Sequence, residues 1–201
     1  MSSQPATRSV LDILPRFGVF VKRDFLPPEV RDDLRGRMQA ARDRPSPVGI
    51  PGGPVKVLDD KRRARLVDLD DDAQQVILGR LDAIRPEVEQ VTGDRYRGLR
   101  PPQWLLYGAG HFHKPHQDYY EEEHWERRIS LLTFLNGESD ADEPGTFSGG
   151  QLVLYGLLGE KHGIPISGEP GLLIGFRANT VHEVRPVTRG RRYSVLSWFT
   201  V

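Results

Sequence analysis

The sequence predicts a mainly β domain in which N-terminal helices support a C-terminal jelly roll, and three observations carry that prediction. The chain holds 21 glycines and 16 prolines among 201 residues, more breakers than long helices tolerate. Helical apolar spacing is confined to the first half. From Trp104 onward the apolar residues come instead in short runs separated by Gly, Pro or charge, as antiparallel sandwiches and barrels require.

In chain order, Phe17 to Lys22 (FGVFVK) reads as a first strand. Leu26-Pro27-Pro28-Glu29 starts a helix, with Pro in the first turn and an early acid, and Val30, Leu34, Met38 and Ala41 follow at helical spacing. Between Pro45 and Pro54 seven of ten residues are Pro or Gly, so a surface loop over residues 44–56 is expected, with the properties of a lid. Asp70 caps a second helix whose apolar stripe runs Ala73, Val76, Ile77, Leu81, Ile84, Val88, Val91 and stops at Thr92-Gly93. Pro86 should kink or split it. The later strands are expected at 104–107 (WLLY), 128–135 (RISLLTFL), 151–155 (QLVLY), 171–176 (GLLIGF) and 193–199 (YSVLSWF). The whole chain, 1–201, reads as one domain, with residues 1–100 supplying helices, first strands and the loop, and residues 101–201 the jelly-roll core.

Composition narrows the function. Lys and Arg number 28, as do Asp and Glu, so no basic excess marks a nucleic-acid or anionic-lipid partner. The N-terminus lacks the apolar stretch of a signal peptide and no run is long enough to cross a bilayer, which makes a cytoplasmic location the simplest expectation. With no cysteine present, disulfides, thiolate catalysis and iron–sulfur clusters are excluded, and any metal must be held by nitrogen and oxygen.

Four of the six histidines fall between His111 and His124. In extended backbone, residues two apart face the same side, so His116 and Asp118 can present an imidazole nitrogen and a carboxylate oxygen to one ion. Such a pair is common by chance. A third ligand must come from another strand, and His182 lies where one could deliver it. Two histidines and a carboxylate on one face suit non-haem Fe(II) with open positions. Ten residues beyond His182, after a turn at Pro186 and Gly190, Arg192 is expected level with it. Arg192 and Ser194 share a parity and could clamp a carboxylate; the plain alternative is a solvated arginine beside Arg189 and Arg191.

The stretch Tyr107–Phe199 resembles the Fe(II)- and 2-oxoglutarate-dependent dioxygenases, in particular their prolyl 4-hydroxylase-like branch. The matching pieces are Pro115-His116-Gln-Asp118, Arg127 to Asn136, Gly149-Gly150-Gln-Leu, Gly171 to Phe176, His182 to Val187, and Gly190-Arg-Arg192-Tyr-Ser-Val with Trp198-Phe199. The resemblance implies a double-stranded β-helix with His116, Asp118 and His182 as iron ligands. It implies 2-oxoglutarate and O2 as co-substrates, succinate and CO2 as products, ascorbate as a candidate reductant, and hydroxylation of an unactivated C–H bond. Arg192 matches the basic residue that pairs with the distal carboxylate of 2-oxoglutarate. Tyr107 matches a tyrosine lining that pocket, and Thr133 a pocket position where relatives carry tyrosine. The substrate would be a prolyl-containing protein or peptide, or a small molecule, with Tyr119, Tyr120 and Trp125 as candidate contacts. Asp118 disfavours halogenation, since a halide would need its place. Two rival readings keep the jelly roll: a cupin-like metal site using His111 and His113 with His182, and a non-catalytic binding module.

Overall fold

The computed structural model describes residues 9–49, 56–119 and 126–201. Ser9 opens the chain's first helix, α1 (Val10–Ile13), through a reciprocal cap in which Asp12 accepts from the Ser9 amide. A 3-10 turn, Leu14–Phe17, follows and stops on Gly18 at φ 72°. The predicted first strand therefore starts late, as β1 (Phe20–Lys22), because Pro15 and left-handed Gly18 make a turn of its first half. Helix α2 (Pro28–Ala40) begins at the double proline as expected and buries Leu34 and Met38.

The loop reading needs correction at its edges. β2 (Asp43–Pro45) pairs with β4 (Arg65–Val67), while β3 (Arg62–Arg63) belongs to a different sheet. Pro45 is tolerated because β2 is an edge strand. Val48 and Lys56 exchange both backbone hydrogen bonds, at 2.8 and 3.0 Å, across the base of the loop; residues 50–55, the middle of the expected lid, lie outside the described residues. Asp70 caps α3 (Asp71–Ala83) by accepting from the Ala73 amide at 2.9 Å. Pro86 does split the stripe: α3 ends at Ala83, and α4 (Arg85–Thr92) restarts with the proline in its first turn and closes on left-handed Gly93.

The strands that follow are β5 (Gly98–Leu99), β6 (Gln103–Gly108), β7 (Phe112–His116), β8 (Arg127–Phe134), β9 (Phe147–Gly149) and β10 (Leu152–Gly156). Then come β11 (Gly159–Ile166), β12 (Leu173–Arg177), β13 (His182–Val184) and the long β14 (Val187–Thr200). All five predicted C-terminal runs are strands. A major sheet runs β1-β12-β8-β14-β6-β4-β2, with β5 and β9 also paired to β14, and a minor sheet runs β11-β10-β13-β7-β3. Every strand-to-strand pairing in these two sheets is antiparallel among the described residues, and the two sheets face each other as a jelly roll.

Side-chain alternation along three central strands divides the core. Trp104 and Leu106 of β6, Ile129 and Leu131 of β8, and Tyr193 and Val195 of β14 pack against Leu34, Met38, Ile77, Leu81 and Val88 of the helices. Leu105 and Tyr107, Leu132 and Phe134, and Leu196 and Trp198 point the other way, into the space between the sheets, where they meet Leu152, Leu154 and Val184. The helices thus brace one face of the major sheet. The opposite face is free to build a site.

Candidate active site between the sheets

A cavity of about 600 Å³ opens between the sheets, lined among others by His116, Asp118, His182, Tyr107 and Arg192. Antiparallel pairing sets His182, the first residue of β13, opposite His116, the last of β7. The chain leaves β7 after His116, and the amide of Asp118 donates to the Ala178 carbonyl at 2.9 Å, which fixes the bend. One ligand atom from each of His116, Asp118 and His182 lies within 4.8 Å of the others, a spacing that could hold a metal ion.

Each member of this group is oriented by a neighbour. Nδ1 of His116 donates to the Lys114 carbonyl at 2.8 Å, and Nδ1 of His182 to the Thr180 carbonyl at 3.0 Å. A carbonyl only accepts, so both rings keep the Nε2 lone pair free for a cation. Ser130 Oγ and Trp198 Nε1 both donate to Asp118 Oδ2, at 2.7 and 3.1 Å. That leaves Oδ1, 3.7 Å from His116 Nε2, unburdened. Arg127 stacks on the Trp198 ring at 4.0 Å and donates to the Asp118 carbonyl at 3.3 Å. Ser130 and Trp198 escaped the sequence reading. Their signal was parity, since Trp198 lies six residues from Arg192 on the same strand face.

Electrostatics keep the group ready for a cation. Burial works to raise the Asp118 carboxyl, but His182, His116 and Ser130 outweigh it and hold it well below the usual carboxylate range. Burial, reinforced by His116, pushes His182 down to about 4. A histidine of ordinary value about 6.5 in the unfolded chain that is neutral when folded gives stability present above 6.5 and lost as pH falls toward 4. Urea unfolding of the metal-free protein is expected to show up to about 3 kcal/mol lost between pH 7 and pH 4, with a shallower loss in His182→Gln.

Arg192 faces the same cavity from the major sheet. The sequence reading put it level with His182 across a turn; in fact the chain passes to the other sheet at β14, and Arg192 pairs with Tyr107 of β6. Arg192 and His182 thus line the cavity from different sheets rather than from one hairpin. Arg192 is fully buried, and none of its three guanidinium-group nitrogens has a hydrogen-bond partner among the described residues. Its charge rests against the rings of Phe134 at 4.8 Å and Tyr107 at 5.1 Å. Burial lowers it to about 10, so it remains a cation at neutral pH. Ser194, two residues on and on the same face, is also fully buried with an unpartnered Oγ. An unpaired buried cation costs several kcal/mol, and an anionic ligand is what would offset that.

The remaining expectations divide. Thr133 is misplaced: it shares the parity of Leu131, so it lies on the helix-facing side of β8, and Leu132 and Phe134 take the cavity side. Tyr119 is half-buried, with its amide donating to Ala178 at 3.1 Å; Tyr120 and Trp125 lie outside the described residues. The cupin-like set is not assembled. His113 stacks on His116 at 3.4 Å, and His111 lines a separate cavity with Asp43, Arg65 and Arg191.

Gly150 packs close against Val187 and the Arg192 stem. At φ 63°, a Cβ there would stand 2.8 Å from Val187 Cγ2 and 3.3 Å from Arg192 Cδ. Gly150→Ala is expected to cost about 1–3 kcal/mol in a denaturant titration and, by displacing the Arg192 stem, to weaken binding of 2-oxoglutarate in a calorimetric titration.

Residues 102–200 match the family model described as the 2OG-Fe(II) oxygenase superfamily. That stretch, just under half of the chain, is similar to that superfamily. Curated relatives are PKHD-type hydroxylases. One from Pseudoalteromonas atlantica is 31% identical over 50% of this chain and 43% of its own length. One from Phenylobacterium zucineum is 28% identical over 69% of this chain and 60% of its own, and one from Synechococcus is 39% identical over 35% and 27%. The chain thus spans less than two thirds of these relatives' length. Solved structures agree in fold. A Pseudomonas putida prolyl-4-hydroxylase superposes with a TM-score of 0.65 at 23% identity, covering 95% of this chain and 96% of that one. A prolyl hydroxylase from Trichoplax adhaerens gives 0.71 at 18% identity over 95% and 87%. The nitrogen, oxygen, nitrogen donor set and the orphaned Arg192 both fit what the superfamily's name calls for.

Proposed function

We propose that this chain is an Fe(II)- and 2-oxoglutarate-dependent hydroxylase, with His116, Asp118 and His182 holding the iron and Arg192 binding the distal carboxylate of 2-oxoglutarate. The observation that carries the reading is a buried guanidinium without a partner, facing a His-Asp-His group across one cavity. Iron, 2-oxoglutarate and O2 together supply oxidative decarboxylation to succinate and CO2, coupled to hydroxylation of an unactivated C–H bond.

The chain's own residues bind, orient and exclude water. Arg192 offers a planar fork to a carboxylate, and Ser194 Oγ is a spare donor beside it. Tyr107, Phe134, Leu132 and Leu196 wall the space around them with apolar surface, which strengthens the pairing and keeps water from competing. Ser130 and Trp198 hold Asp118, and the Lys114 and Thr180 carbonyls hold the two rings, so the group is set before a ligand arrives. No separate general base is needed.

For the substrate, a prolyl residue in a protein or peptide, or a small molecule, is the reading supported by the relatives. The Trichoplax adhaerens enzyme is seen with a peptide fragment of hypoxia inducible factor. Tyr119, next to Asp118 in the chain, is our candidate contact, with Tyr120 and Trp125 following it in sequence. Residues 1–201 act as one unit in this reading, because the helices share a core with the major sheet. No helix among the described residues is long and apolar enough to cross a membrane; cytoplasmic residence, and ascorbate as reductant, go with the same proposal. The test is succinate release from 2-oxoglutarate in air with Fe(II). Release by wild type that is lost in His182→Ala supports the proposal, and equal release by both contradicts it.

A further inference from the structure

A second buried arginine reaches the same cavity and has no role in the reading so far. Arg62 in β3 is 8% exposed; its Nε has no partner among the described residues, and its Nη1 donates to the Pro47 carbonyl at 3.3 Å. Nearby arginines are satisfied differently: Arg44 pairs with Asp68 and Arg65 with Asp43. Arg62 has no such carboxylate among the described residues.

Its position is set by the minor sheet. β3 pairs with β7, with Arg62 opposite His113, and the Lys114 amide donates to the Lys61 carbonyl at 2.9 Å. Lys61 and Lys114 are exposed and line the mouth of the cavity. Among the described lining residues, Lys61, Arg62, Lys114, Arg127 and Arg192 face a single acid, Asp118. A chain with equal numbers of acids and bases has here gathered cations. Asp59 and Asp60, in the turn just before Lys61, are exposed and do not line the cavity. Arg192 is taken by 2-oxoglutarate, and Arg127, whose Nε is also without a partner among the described residues, differs from Arg62 in having its charge stacked on Trp198. The other three form one patch on the side of the cavity bearing β7.

We infer that Arg62, with Lys61 and Lys114 at the rim, binds an anionic group, carboxylate or phosphate, on the molecule to be hydroxylated. A guanidinium held in a fixed place recognises such a group through paired N–H donors, and burial makes the pairing strong. Anchoring one end of the substrate there, a single strand from His116, limits which of its C–H bonds can approach the metal group. The inference rests on the hydroxylase reading, so its test must fail separately.

The protein is loaded with redox-silent Zn(II) and saturated with 2-oxoglutarate. N-acetyl-L-proline, its primary amide and inorganic phosphate are then titrated calorimetrically into wild type, Arg62→Gln and, as a surface control, Arg16→Gln. The expected result is about tenfold tighter binding of the acid than of the amide in wild type and Arg16→Gln, falling to about twofold or less in Arg62→Gln. Affinity for 2-oxoglutarate should stay unchanged in Arg62→Gln. Phosphate binding tighter than the acid would name a phosphorylated substrate, and the reverse order a carboxylic acid. Equal binding of acid and amide, a preference that survives in Arg62→Gln, or no saturable binding of either anion at millimolar concentration would each overturn the inference. Should 2-oxoglutarate itself fail to bind, the hydroxylase reading falls, and the same titrations in Arg192→Met still report on Arg62 alone.

Discussion

Arg192→Met is expected to lose 2-oxoglutarate binding by about 100-fold or more while making the ligand-free protein more stable. The two effects share one cause. Burying a guanidinium without a partner costs several kcal/mol, and replacing an uncompensated buried charge by an apolar side chain of similar length is neutral or stabilising by about 1–4 kcal/mol. Met suits the site because Tyr107 and Phe134 already present ring faces to the side chain. Truncating a buried, hydrogen-bonded charge pair costs about 2–5 kcal/mol in binding, or about 30-fold to several thousand-fold, and 100-fold lies in the lower part of that range. Calorimetric titration with 2-oxoglutarate and urea unfolding without it measure the two halves. A loss of binding accompanied by a loss of stability would mean that Arg192 holds the fold rather than a ligand.

Asp118→Asn should separate iron binding from folding in a similar way. The side-chain oxygen of Asn can still accept from Ser130 Oγ and Trp198 Nε1, so two buried donors keep their partner. The charge that attracts a cation is gone. Affinity for Fe(II), followed by anaerobic titration with a competing chelator, is expected to fall by at least two orders of magnitude, more than the 10- to 100-fold that losing an outer partner of a metal ligand costs. Asp118→Ala should lose the metal as well, and should also destabilise the protein by about 1–3 kcal/mol for each orphaned donor. Native-like iron affinity in Asp118→Asn would remove Asp118 from the ligand set.

Much of this was legible in the chain, and the parts that were not have physical reasons. The five C-terminal apolar runs became strands, four of them close to their predicted bounds and the last extended back through Gly190 to Val187. Asp70, Pro86 and Gly93 marked helix ends through capping and ring geometry, which act locally. β11 was missed because Gly159-Glu-Lys-His-Gly-Ile-Pro-Ile166 has the composition of a loop. It is a strand because β10 supplies its partner, and at Gly163 a Cβ would stand 2.6 Å from Val153. The short β2, β3 and β13 likewise exist only through their neighbours.

The candidate site shows the same division. Spacing put His116 and Asp118 on one face and parity did the same for Arg192 and Ser194, both local rules, while the roles expected of them came from the resemblance. Thr133 does not reach the cavity because side chains alternate along β8, which gives the cavity face to Leu132 and Phe134. The level placement of Arg192 beside His182 failed because the chain passes from the minor sheet at β13 to the major sheet at β14, a change no local rule encodes. Arg62 gave no signal in a run of Lys-Arg-Arg that reads as a solvated turn. Only the pairing of β3 with β7 carries it under cover.

The central claim, that His116, Asp118, His182 and Arg192 together form one iron and 2-oxoglutarate site, is tested most directly by anaerobic visible spectroscopy. Fe(II) is added to one equivalent, 2-oxoglutarate follows, and the metal-to-ligand charge-transfer band of the bidentate chelate is recorded for wild type and Arg192→Met. The account predicts a band in wild type that is far weaker in the variant at the same sub-saturating 2-oxoglutarate. Iron bound at one equivalent with no band in wild type, or bands of equal strength in both proteins, would contradict it.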